Sequence, residues 1–400
     1  MKNKKRIFIM SHAMELGGAE RSLLGLLDAI DTNIYEVDLF LMRHEGELLQ
    51  HIPTKINLLP EIPSYTVLAR PMKDTLLEGH VILTFARLCG KICAIKYDRD
   101  HDYTDSGVAL EYSHKYTVSL LPKIQPNCEY DLAISFLTPH YYVAQKVRAK
   151  QKIAWIHTDY NKVQIDKESE YNMWSEYDKI ISISDAVTNA FIDIFPALSE
   201  KIVLVENILP QSLVQSQKAA FSVEKEMPDK GIKLLSIGRY CTAKNFDNVP
   251  EICKKLIEAG NDVYWYIIGF GPDEALIRSK IEQYHMEERV ILLGKKDNPY
   301  PYINSCDWYV QPSRYEGKSV TVREAQMLGK PVIITNYATS HSQLDDGVDG
   351  IIVPLGNKAC ADEIGRIILN IQLRDQLSVN CSTRDYSNSA EINCLYELLD

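Results

Sequence analysis

The stretch SRYEGKSVTVREAQMLGKP, residues 313–331, sets two glutamates, Glu316 and Glu324, eight positions apart, the first beside a glycine and the second in a run of helical periodicity. The apolar run Trp308–Val310 ahead of it reads as a strand, and Val322–Leu328 reads as a helix closed by Gly329 as its C-cap. A strand passing through a glycine-bearing loop into a helix is the repeating unit of a parallel α/β sheet. Ligands in such sheets bind at the carboxyl ends of the strands, so function is to be sought in these loops.

Working outward, strand and helix patterns alternate along nearly the whole chain. Strands are expected at Arg6–Met10, Val37–Leu41, Asp131–Phe136, Ile153–Ile156, Lys179–Ile183 and Ile202–Val205. A second series follows at Lys233–Ile237, Val263–Ile268, Val290–Leu293, Trp308–Val310, Val332–Thr335 and Ile351–Val353. Between them, residues 209–231 are polar and lack sustained periodicity, which reads as a linker. The expected fold is α/β: two doubly wound Rossmann-like domains facing across a cleft, residues 1–208 and 232–385, with 386–400 as a C-terminal segment able to pack back on the first domain.

Composition narrows the function. With 400 residues, 46% hydrophobic and 24% charged, the chain is a folded globular protein of two-domain size. A formal net charge of −10 argues against nucleic acid as a partner. The nine cysteines are scattered and never spaced C-x-x-C, which signals neither a disulfide framework nor a zinc site and fits a cytoplasmic location. The opening MKNKKR is followed by only four apolar residues, so no secretory signal is read there. Residues 81–95, VILTFARLCGKICAI, are too short to span a bilayer. Residues 70–100 hold six basic side chains against four acidic ones around that run, which fits either contact with an anionic membrane surface or a buried helix whose Arg and Lys snorkel outward.

The chemistry-bearing residues gather after strands. If the 322–328 helix starts near Ser319 or Thr321, backbone N–H groups from Gly317 onward, through Lys318, Ser319 and Val320, form an anion site. Gly317 leaves room for close approach, and Glu316 and Glu324 could each hold a polyhydroxylated group on either side of a phosphate, the layout of a nucleoside diphosphate sugar. Thr321-Val-Arg-Glu324 also fits a capping box, and Glu316 also fits an ordinary loop carboxylate. Gly238 and Arg239 end a strand, with Lys244 in the following loop; such cations complement a diphosphate, or stand as solvated surface charges. Gly17 and Gly18, between the first strand and first helix, allow close backbone approach to a phosphate, although the G-x-G-x-x-G fingerprint is absent. His157 in WIHTDY follows a strand and is either structural or part of the reaction centre.

Together GGAER (17–21), WIHTDY (155–160), SISDA (182–186), VEN (205–207), SIGRYCTAK (236–244), IIGFGP (267–272) and PSRYEGKSVTVREAQMLGKPVI (312–333) resemble a retaining family 4 glycosyltransferase of the GT-B fold, whose members carry a Glu-x7-Glu element. The resemblance implies that Glu316 contacts donor-sugar hydroxyls, Glu324 the ribose, and Arg239 and Lys244 the diphosphate. It places Gly18 near that diphosphate and His157 at the reaction centre. It implies a metal-independent, retaining hexosyltransferase with no cofactor beyond a nucleoside diphosphate sugar, UDP-sugar by preference. The acceptor would be a saccharide or lipid-linked saccharide in bacterial surface polysaccharide or glycoconjugate synthesis, reached from the cytoplasm at the inner face of the membrane. A non-catalytic nucleotide-sugar-binding subunit and a phosphorylase or epimerase of the same architecture are the competing readings. Two departures stand out: Lys318-Ser319 replaces a Phe-Gly pair, and NYATSHSQLDDG (336–347) lacks a glycine pair after Thr335. The run Asp98-Arg-Asp100-His-Asp102 follows no strand, so no metal is assigned to it.

Overall fold

The computed structural model describes residues 4–104, 106–158 and 160–399, so Asp105 and the Asp159 of WIHTDY lie outside the described residues. The chain divides into two compact units, Met1–Leu209 with Asn388–Asp400, and Pro210–Ser387.

The first unit is built on a parallel sheet of β1 (Lys5–Ser11), β2 (Tyr35–Leu41), β3 (Asn57–Leu58), β4 (Tyr130–Ser135), β5 (Ala149–Ile156), β6 (Lys179–Ser182) and β7 (Ile202–Leu204), in the order β3-β2-β1-β4-β5-β6-β7. The second holds β8 (Ile232–Ile237), β9 (Val263–Ile268), β10 (Val290–Gly294), β11 (Trp308–Gln311), β12 (Val332–Thr335) and β13 (Ile351–Val353), in the order β10-β9-β8-β11-β12-β13. Each is a doubly wound α/β sheet whose order reverses beside its first strand, leaving a switch point between β1 and β4 and another between β8 and β11. Helices cover both faces, which is why β9, β12 and the stretches Ile7–Met10 of β1 and Ile153–Ile156 of β5 read as continuous apolar runs rather than alternating ones.

All twelve expected strands are present, most with ends shifted by a residue or more. β3 escapes the sequence: it is two residues long and lies at the sheet edge. The expected linker differs more. From Pro210 onward the stretch belongs to the second unit and contains a helix, Gln211–Gln217, whose Gln215 Nε2 donates to the Met327 carbonyl at 2.5 Å. Val214, Val223 and Met227 are buried there; three apolar anchors are too sparse to make a period. The C-terminal segment docks on the first unit: the Tyr396 hydroxyl accepts from Asp31 N at 2.9 Å, and its ring stacks on Tyr35 with centroids 4.6 Å apart.

The first helix, Gly18–Ala29, buries Leu23, Leu24 and Leu27, as its periodicity requires. It carries Gly25 in its interior because the chain returns against it: a Cβ there would stand 2.2 Å from the Ile208 carbonyl oxygen. Helix propensity alone would favour alanine by about 1 kcal/mol. The obstacle is backbone and cannot swing aside, so Gly25→Ala is expected to destabilise the protein by about 1–3 kcal/mol, read as a lower denaturant midpoint.

Candidate functional site

In the second unit the loops after β8, β9 and β11 are bonded into one wall. Asn245, in the left-handed conformation (φ 61°), donates from Nδ2 to the Pro312 carbonyl at 2.8 Å. Arg314 donates from its backbone to Ala243 O and forks both guanidinium nitrogens onto Asp247 at 2.9 and 2.7 Å. Gly269 and Gly271 lie so close to the loop after β8 that a Cβ would meet the carbonyls of Gly238 and Tyr240 at 1.9 and 2.4 Å. This bracing fixes where Lys244 and Glu316 stand.

Lys244 Nζ donates to Glu316 Oε1 at 2.5 Å across the switch point, in an ion pair whose side chains are only 17% and 12% exposed. The same oxygen accepts from Ser313 Oγ at 2.6 Å and Gln311 Nε2 at 3.4 Å. Glu316 Oε2 has no protein partner among the described residues. One carboxylate oxygen is anchored and the other is presented. Gly238 acquires a reason here: a Cβ would stand 2.9 Å from Cε of Lys244, so the glycine makes room for the lysine stem. Arg239 next to it is exposed and has no side-chain partner among the described residues.

The helix after Glu316 runs Val320–Met327 with Ser319 as N-cap, within the expected start near Ser319 or Thr321, and the Ser319 side chain makes no capping hydrogen bond. The capping-box alternative fails on register: Ser319, not Thr321, is the N-cap, which puts Glu324 beyond the reach of a reciprocal cap. Glu324 is fully buried and accepts from the Tyr300 hydroxyl at 2.9 Å. Gly317 is exposed with open space around its Cα, so no protein neighbour requires glycine there. Ser319 departs from the expectation of a free amide, because its N–H donates to Gln343 Oε1 at 2.6 Å. Lys318 and Val320 flank it, both half-buried.

Several participants were not visible in the sequence. Thr339 Oγ1 donates to the Glu316 carbonyl at 2.7 Å, so residues 336–347, which lack the family's glycines, instead clamp the motif loop. Tyr337 is buried beside Glu316 with its hydroxyl unpartnered among the described residues, and burial raises its pKa. Ser313 and Gln311 border the motif and their polarity at a strand end was the available signal; nothing pointed to Tyr300, Thr339 or Gln343.

Gly17, Gly18 and His157 belong to the first unit. Gly17 is the N-cap of the first helix, and the Glu20 carboxylate folds over it, 2.0 Å from where a Cβ would be. Burial raises the pKa of Glu20. His157 follows β5 with its ring against Phe136, 4.8 Å between centroids, and its Nε2 is buried without a partner among the described residues. Burial holds its pKa at about 4, so the imidazole is neutral at physiological pH and suits accepting a hydrogen bond more than storing a proton. It borders a cavity of about 180 Å³ that Glu111, His114, His140 and Glu170 also line. Asp98, in the acidic run, ends a helix and accepts from Ser106 Oγ at 2.6 Å. No cluster able to hold a metal ion occurs among the described residues.

Residues 217–383 match the family of glycosyl transferases group 1, a match that lies within the second unit. The two sheets are those of the GT-B fold. The Anabaena Alr3699/HepE structure in complex with UDP and glucose has a TM-score of 0.66 at 16% identity, covering 99% of each chain. A variant of Staphylococcus aureus TarM in complex with fondaparinux, alpha-GlcNAc-glycerol and UDP has a TM-score of 0.67 at 15% identity, covering 99% of this chain and 100% of that one. Among sequence relatives, the O-antigen biosynthesis glycosyltransferase WclY of Escherichia coli is 26% identical over 165 residues, 41% of this chain and 45% of WclY. The amylovoran biosynthesis glycosyltransferase AmsD of Erwinia amylovora is 27% identical over 161 residues, 40% of this chain and 44% of AmsD. The chain thus spans less than half the length of these curated relatives.

Proposed function

We propose that the protein is a retaining, metal-independent hexosyltransferase that uses a nucleoside diphosphate sugar, UDP-sugar by preference, to extend a saccharide or lipid-linked saccharide in bacterial surface polysaccharide synthesis. The observation that carries this is the Lys244–Glu316 pair at the switch point, with Glu316 Oε2 unengaged. It supports a hexose hydroxyl on Oε2 and a diphosphate close to Lys244 and Arg239. The first turn at Val320, with Gly317 and Lys318 ahead of it, adds N–H dipoles for the phosphates, while the Ser319 N–H stays with Gln343. Glu324 is then the ribose ligand, exchanging the Tyr300 hydroxyl for a ribose one. Fixed cations of this kind offset leaving-group charge without a metal, each charge-assisted hydrogen bond netting about 1.5–3 kcal/mol. The acceptor hydroxyl attacks the anomeric carbon on the face the diphosphate leaves, and its proton passes to the departing phosphate oxygen. In the first unit, Gly18 is assigned a backbone contact to a substrate phosphate and His157, whose imidazole is neutral, a hydrogen bond to substrate. The relatives named for O-antigen and amylovoran synthesis and the UDP-bound neighbours favour this substrate class. No helix among the described residues is long and apolar enough to cross a membrane, and we place the enzyme in the cytoplasm at the inner face of the membrane.

Calorimetric titration with uridine diphosphate tests the nucleotide assignment. Glu324→Ala should weaken binding by ~10–100-fold, the worth of one or two charge-assisted hydrogen bonds. Tyr300→Phe, which removes the protein donor and keeps the carboxylate, should bind the nucleotide at least as well as the parent. If Glu324→Ala only lowers the melting temperature, Glu324 is a structural acceptor for Tyr300.

A further inference from the structure

We propose that the helix Val81–Asp100 is a docking surface for an anionic lipid bilayer. The helix packs on Val108–Thr117 through its small residues: a Cβ at Gly90 would stand 2.9 Å from the Tyr112 carbonyl oxygen, and Ala94 and Leu83 are buried on the same side. The large apolar residues point the other way, contrary to the buried-helix alternative. Val81, Phe85, Leu88, Ile92 and Ile95 recur at spacings of three and four, one helix face, and all are exposed, Phe85 by 66% and Ile92 by 58%. Twenty residues of helix make a stripe ~30 Å long, where folded surfaces normally scatter such side chains singly.

Charge selects the occupant. Residues 81–97 hold Arg87, Lys91 and Lys96 and no acid, in a chain of net charge −10. Arg87 turns inward to the carbonyls of Val67 and Arg70 at 2.6 and 2.9 Å. Lys91 and Lys96 are exposed, without a side-chain partner among the described residues, and their helical positions put one on either flank of the stripe. A second copy of this face would bring the same lysines together, whereas lipid phosphates would neutralise them. The helix therefore lies in the plane of the interface, its apolar face among the upper acyl carbons and its lysines at headgroup level. This goes beyond the catalytic reading and holds whatever sugar is transferred.

Flotation of the whole chain with vesicles tests it. The protein should rise with vesicles of phosphatidylglycerol mixed into phosphatidylcholine, and at least ~10-fold less with pure phosphatidylcholine, since each lysine near an anionic surface contributes several-fold to partitioning. Phe85→Ser with Ile92→Ser, and separately Lys91→Glu with Lys96→Glu, should each reduce binding by ~10-fold or more at unchanged melting temperature. Ile371→Ser with Val379→Ser, at residues 62% and 61% exposed on the second unit, should leave it unchanged. The proposal is overturned if the parent does not float, if it binds both vesicle types equally, or if it forms a dimer that Phe85→Ser with Ile92→Ser dissolves.

Discussion

Glu316→Gln is expected to cut sugar transfer by at least ~100-fold while leaving the dissociation constant for uridine diphosphate within about threefold of the parent. The substitution keeps the shape that Ser313 and Gln311 hold, but removes the charge that pairs Lys244. Two consequences separate. A hexose hydroxyl that donates to Glu316 Oε2 loses a charged acceptor, which touches the sugar-bearing transition state and not the nucleotide alone. Lys244 loses its partner in a mostly buried pair, which lowers stability but leaves the ammonium free for phosphate. Lys244→Gln should do the reverse, weakening the nucleotide and turnover together. Ser313→Ala, which loosens one anchor of Oε1, should lower turnover less than Glu316→Gln and spare the nucleotide. Should Glu316→Gln weaken uridine diphosphate as much as Lys244→Gln does, Glu316 would serve only to hold the lysine, and the sugar contact would have to be sought elsewhere.

What the sequence reveals of this site follows from how each residue is placed. Strands buried on both faces announce themselves as short apolar runs, so the sheets and the loops that follow them are legible, and with them Lys244 and Glu316. Side chains whose role depends on a contact across the fold leave no local mark. Tyr300 meets Glu324 from another helix, and Gln343 and Thr339 reach the motif loop from beyond the next strand. Gly238, at the end of a strand, likewise gives no local sign that it accommodates the Lys244 stem. The 81–95 run shows the opposite failure. Its apolar content is plain, but whether that content faces in or out is decided by Gly90 and Ala94 meeting the neighbouring helix, a packing choice invisible to periodicity.

Acidification should unfold the first unit before pH 3 is reached, and two buried histidines should be the main reason. His140 and His114 are 5% and 6% exposed, and burial drives the pKa of each from 6.5 down to about 3, with His157 adding repulsion at His140 and Arg87 and His12 adding it at His114. Above pH 6.5 both states of the chain hold these groups neutral, and nothing is lost. As pH falls from 6.5 toward 3 the unfolded chain takes up protons that the folded unit refuses, so each histidine removes about 1.4 kcal/mol per pH unit. By pH 3 the pair has removed on the order of 10 kcal/mol, comparable with the 5–15 kcal/mol that holds a typical domain. Glu170 works against this over part of the range. Burial raises its pKa to about 7, although the Tyr160 hydroxyl donates to it at 2.5 Å, so folding is favoured as pH falls from about 7 to 4.5, by roughly 3 kcal/mol. Below 4.5 that contribution is constant while His157, held at about 4, still adds its proton, which puts the steepest loss just below pH 4.5. Native-state hydrogen exchange read separately over the two sheets distinguishes this from global acid damage. His140→Gln should flatten the slope of the first sheet by about one proton, and Glu170→Gln should raise stability at pH 8 while steepening the fall from pH 7 to 4.5. If neither substitution changes the slope, the acid sensitivity belongs to other groups and the buried histidines are already protonated in the fold.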